Sequence, residues 1–429
     1  MVDEKSDEAN FTRLVIGSIA TTMVLLLILP MIFVAGKSTY YSAYTEGEGG
    51  EISSLAQVTD MRDTMATDEG YFIANTMSTP MLVNDWRDPH RTALMIIGPE
   101  KPIAETEADA IYDFVTKNGG KVIVAADGTN ANRLAEKFGV TFFDSPLNDE
   151  NQFWMEYEDG QPTDGSWLNV WGLAAVSEDV NDMPPSYLRQ GCIDTDVLEE
   201  NRENCRLPVM FRSPTGMKFE PLPEDDPSQT SENQRQVKIL STASPSAFID
   251  VQGNGLADDQ RNPAPGDLSL IIRIDYPGIT TFDKVSAGSG GLVGGNTKEL
   301  QVTGSIVFVS DEEAFSNRLW SLDVAVENDM SSSCEQQANN CWLNTVRETY
   351  WQGNEQYFSL LIDDMMEHDN PKLAKSIRDD KSEFQIVFDE SRHVTGMISA
   401  PFVETMGTVV LLTSNTFLKW FVVLNVGLL

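Results

Sequence analysis

Three short polar stretches carry residues that could do chemistry: Asp127-Gly128-Thr129-Asn130, Ser310-Asp311, and Asp389-Glu390 followed by His393. Each follows an apolar run with the look of a buried strand, namely Val122–Ala125, Ile306–Val309 and Phe384–Phe388. In open α/β sheets, ligands bind just outside the C-terminal ends of the strands. If these strands are neighbours, the carboxylates converge with His393 close by, and paired carboxylates can move protons or hold a divalent cation. The bland alternative is that acids at strand ends cap helices and satisfy loop amides. A chain with 66 acidic residues has many to spend that way.

Nucleophilic catalysis has less support. No G-x-S-x-G or G-x-C-x-G follows any strand-like run, and His393 has no matching nucleophile in the sequence. The glycine-rich stretch from Gly288 to Gly295 has Val293 where the third glycine of a dinucleotide fingerprint belongs, so a loop is expected there. A calcium loop is a further candidate: Asp250, Gln252, Asn254 and Asp258 fall at positions one, three, five and nine, with Gly255 at six. Arg261 occupies the twelfth position, where a bidentate Glu is usual, and a plain Asn-Gly turn explains the same residues.

Charge and cysteine bound the setting. The 429 residues carry 30 basic and 66 acidic side chains, a formal net charge of −36, which argues against nucleic-acid binding. Such acidity fits a saline habitat. Leu14–Gly36 holds no charged residue and, at about 1.5 Å per residue, is long enough to cross a bilayer core of roughly 30 Å. It reads as an uncleaved membrane anchor rather than a signal peptide, whose apolar region is shorter. Phe402–Leu429 is apolar again, although it contains Glu404 and Lys419, and is expected to be either a second span or a truncated one. The four cysteines form two local pairs, Cys192 with Cys205 and Cys334 with Cys341, expected as disulfides and hence as a sign of an exterior location.

The elements that must position the candidate residues form an α/β pattern. Leu94–Ile97 reads as a strand, and Ala104, Ala108, Ile111 and Val115 form one helical stripe stopped by Gly119-Gly120. Val122–Ala125 is the next strand, and a helix carrying Leu134, Ala135 and Phe138 follows it. A strand–helix–strand unit of this length implies parallel strands. Further strands are expected at Tyr71–Asn75, Val140–Phe143, Leu168–Val176, Val237–Thr242, Leu268–Ile274 and Ile306–Val309. Helices are expected over Ile52–Glu69, from a Ser310–Glu313 capping box through Leu319, and over Asn354–Met366. The division is a tail at 1–13, a span at 14–36, a linker at 37–51, one domain at 52–400 and a span at 402–429. Excursions from the sheet are expected near 183–235 and 330–350.

The runs IANTMSTPMLVND, LMIIGPEKPIAETEADAIYDFVTKNGGKVIVAAD, IVFVSDEEAFSN and VFDESRH together resemble the domain of unknown function 4350 family of membrane-anchored proteins. The resemblance implies a flavodoxin-like, class I glutamine amidotransferase-like (ThuA-like) domain with helices on both faces of a mostly parallel sheet. It also implies membrane-protein partners in an envelope complex, and no established reaction. Asp127, Asp311, Asn317, Asp389, Glu390 and His393 match recurring positions of the family, while Ala126 stands where an additional Asp is common. The function expected is therefore a non-catalytic extracytoplasmic domain, held at the cell membrane, that binds a ligand or partner. The alternative is a metal-assisted hydrolase of an envelope glycan or peptide built on the same strand-end residues.

Overall fold

The contiguous apolar runs become the centre of one sheet because both of their faces are buried. In this computed structural model the described residues are 57–76, 88–149, most of 152–180, 206–225, most of 234–255, 268–284, 297–321 and 353–393. In chain order the strands are β1 (Phe72–Thr76), β2 (Thr92–Ile97), β3 (Lys121–Ala125), β4 (Val140–Asn148), β5 (Tyr157–Glu158), β6 (Gln161–Pro162) and β7 (Trp171–Ala175). They continue with β8 (Arg206–Met210), β9 (Thr215–Phe219), β10 (Gln236–Thr242), β11 (Phe248–Ile249), β12 (Ser269–Lys284), β13 (Thr297–Val309) and β14 (Gln385–Asp389). The helices are α1 (Thr59–Asp63), α2 (Glu105–Thr116), α3 (Asn132–Ala135), α4 (Asn317–Trp320), α5 (Asn354–Met366) and α6 (Lys375–Arg378).

The main sheet runs β1-β14-β2-β3-β13-β12-β9-β4-β11, with β10 also paired to β12. Its first five strands are all parallel, and from β12 onward every pairing is antiparallel. Successive residues of the parallel strands enter opposite layers, as strand pleating requires. Met95, Ile97, Ile123, Val307 and Val309 face a layer holding Met61 of α1 and Phe358 and Leu361 of α5. Leu94, Ile96, Val122, Val124, Ile306 and Phe308 face Ala108, Ile111 and Val115 of α2, with Leu134 of α3. The protein is thus a mixed α/β structure with helices on both faces of its parallel block.

Several expectations need adjustment. Of the helix expected over Ile52–Glu69, the described part is a short α1 extended by a π turn over Thr64–Asp68, with Met61 and Met65 buried as the periodicity requires, and residues 52–56 lie outside the described residues. The stretch 183–235 is not wholly an excursion, because β9 lies between β12 and β4 in the main sheet. Its five residues, TGMKF, are too short and mixed for a strand pattern to stand out. The helix after Ser310 breaks into a 3-10 turn at Glu313–Phe315 and the single turn of α4. The Asp311 carboxylate accepts the Glu313 N–H at 2.8 Å at the start of that turn, while the Ser310 hydroxyl is buried without a partner among the described residues, so the expected capping box does not form. No described helix is long and apolar enough to cross a membrane, and the expected spans at 14–36 and 402–429 lie outside the described residues. All four cysteines, the Gly288–Gly295 stretch and residues 330–350 lie outside them as well.

Candidate functional site

Parallel pairing of β14, β2, β3 and β13 sets their C-terminal ends along one edge, so the strand-end residues do share a rim. They divide along it into two groups. Asp389 and Glu390 end β14, whereas Asp127 and Asp311 follow β3 and β13. Two strand spacings, about 9–10 Å, separate β14 from β3.

At the β3–β13 end the acids crowd together. Asp311 is buried, and its carboxylate accepts the N–H of Arg212 at 2.6 Å as well as that of Glu313. Burial pushes its carboxyl well above the usual range, the charges of Glu313 and Asp127 push the same way, and the two N–H donors oppose. Arg212 also reaches Glu313 through its guanidinium at 2.8 Å. Asp127 bonds Glu312, and the protein crowded around it raises its carboxyl. Because Asp127 is exposed at the rim, that push is weaker than the one on Asp311. Gly128 follows it in extended backbone, with nothing near the place of a Cβ.

The amide residues work on backbone. Asn130 donates its side-chain N–H to the Pro99 carbonyl at 2.8 Å, and its own carbonyl accepts from Ile103, so it ties the loop after β3 to the loop after β2. Asn317 accepts the Asp60 N–H at 3.0 Å and donates to the Thr59 hydroxyl at 2.7 Å, which closes the first turn of α1.

At the β14 end, Asp389 accepts the Ser391 N–H at 2.9 Å, and Glu390 donates its N–H to the Thr76 carbonyl of β1 at 2.9 Å. Burial pushes both carboxyls up to about 7, against the Ser391 bonds for Asp389 and against Arg62 for Glu390. His393 is buried, with Nδ1 3.7 Å from the Glu100 carboxylate in the loop after β2. Arg392 pairs with Glu107, whose carboxylate also accepts the Ala104 N–H at the start of α2.

Among the described residues, no group of three or more His, Cys, Asp or Glu side chains is arranged to hold a metal ion. In the calcium-loop candidate, Asp250 accepts the Gly255 N–H at 2.7 Å and faces the Asn148 amide at 3.3 Å. Asn254 and Asp258 lie outside the described residues.

No family model matches the chain, and no curated protein matches it. Three solved chains match, among them one titled "mmIFT52 N-terminal domain", at 8% identity and a TM-score of 0.35, over 74% of this chain and 94% of that one. A superposition that loose carries no argument.

Away from the rim, a cavity of about 940 Å³ opens near the start of β3, lined among others by Lys238, Arg273, Asp275, Asp364 and Glu367. Its charges answer one another. Arg273 bonds Asp275 at 2.8 Å and Asp364 at 2.5 Å, and Lys238 bonds Asp275 at 2.9 Å. Sequence reading missed Glu312, Arg212, Glu100, Arg392 and Arg62. Glu312 and Arg392 sit inside the quoted runs SDEE and ESRH and were open to notice. Arg212 acts on Asp311 from 99 residues away and gave no local signal.

Proposed function

We propose that the protein is a membrane-anchored extracytoplasmic domain with an amidotransferase-like parallel scaffold. It binds a ligand or partner at the strand-end rim, within an envelope or transport-associated complex, without catalysing a reaction. The reading is carried by how the rim spends its polar side chains. Asp311 and Asn130 bond backbone groups of neighbouring loops, Asn317 bonds the first turn of α1, and Asp389 bonds the N–H of Ser391 two residues on in its own loop. Side chains used in this way fix loop shape and leave recognition to the exposed positions between Asp127 and Asn130. An acidic rim on a chain of net charge −36 suits a partner surface that presents Lys or Arg. The apolar Leu14–Gly36 segment and the family resemblance support the membrane setting.

Mild-detergent extraction of the full chain from its native membrane, followed by sizing and mass spectrometry, tests the reading. A larger assembly with reproducible membrane-protein partners is expected, and Asp127→Lys should release them while leaving the fold intact. A solitary monomer under the gentlest extraction contradicts it.

A further inference from the structure

The seam between β1 and β14 holds a group that the proposed function leaves unused. Glu390 is 1% exposed, and among the described residues neither of its carboxyl oxygens has a hydrogen-bond partner. Its backbone is held in the seam by the bond to the Thr76 carbonyl. The residue before it, Asp389, is also 1% exposed. A carboxylate buried without donors is strongly disfavoured, so this arrangement suits a neutral carboxyl. Among the described residues, the charged and polar groups around it are these. From α1 comes Arg62, whose guanidinium lies 5.3 Å over the Phe388 ring. From its own strand comes Asp389, β1 presents the Thr76 carbonyl, and the Glu100–His393 pair lies in the adjoining loops.

We propose that this seam is a proton-operated latch, closed while Glu390 is protonated and loosened when ionisation draws its carboxylate toward Arg62. The shift of Glu390 from 4.5 to about 7 runs in the direction the geometry requires, and Asp389 moves the same way. Because the folded form holds the proton more tightly, the stabilisation is complete below pH 4.5 and is lost as pH rises through about 7. The latch does not depend on what the rim binds.

Urea unfolding of the full chain between about pH 5 and 8, for wild type and Glu390→Gln, reads the latch. The wild-type folding constant should fall relative to the variant by roughly 50–100-fold across that interval. His90, which burial and then Arg91 lower to about 4, acts in the opposite sense in both proteins and cancels in the comparison. Parallel pH profiles for the two proteins overturn the proposal. Arg62→Gln supplies a second reading should Glu390→Gln fold poorly. Without that cation the loss of stability should move to higher pH, and an unmoved midpoint overturns the proposal.

Discussion

Asn317 shows how a side chain that looks like a ligand-binding residue serves the backbone instead. It satisfies one N–H of α1 and one hydroxyl beside it, so Asn317→Ala should cost about 1–2 kcal/mol, measured by urea unfolding. Asp311 holds two N–H groups in a buried place. Asp311→Ala leaves both without an acceptor and should cost about 2–4 kcal/mol by the same measurement. A loss below about 0.5 kcal/mol at either position would mean that the amides find other partners or were never sealed from water. The sequence showed Asp311 at a strand end and Asn317 at a recurring position of the resembled family, but not their employment. Asn317 acts on Asp60 from 257 positions away, and Asp311 meets the N–H of Arg212 across 99. Local spacing carries no information about such pairings.

Elements were more legible than their order. Leu94–Ile97 and Val122–Ala125 announce themselves as apolar runs, and the Asn354–Met366 helix follows from its periodic Phe358, Leu361, Ile362 and Met365. Strand order was hidden. β14 inserts between β1 and β2 although it lies near the end of the described chain, and this non-local pairing is what builds the rim. The antiparallel extension was seen only as scattered β-rich runs, because β12 and β13 reach well beyond their apolar cores into mixed sequence. Packing of α2 on β13 depends on Gly304, where an added Cβ would overlap the Val115 carbonyl. Gly304→Ala should therefore lower stability by about 1–3 kcal/mol, checked as a lower urea midpoint with an unchanged slope. A wild-type midpoint would show that α2 can shift away at no cost.

At the scale of the molecule, the net charge of −36 repels itself in the folded state more than in the expanded one. Raising NaCl from about 0.05 to 1 M shortens the screening length from above 10 Å to roughly 3 Å, so the thermal midpoint should rise. A falling midpoint would mean that ion pairs such as Lys381 with Glu69 and Asp363 outweigh the repulsion. The central claim is that the strand-end rim is a recognition face whose shape is set by backbone-bonded polar side chains. Amide hydrogen exchange on the full chain, compared between native membranes and the purified protein, tests it most directly. The account predicts slower exchange in the membrane at the rim loops 98–103 and 126–130, with the sheet interior unchanged. Equal exchange of those loops in both settings would contradict it.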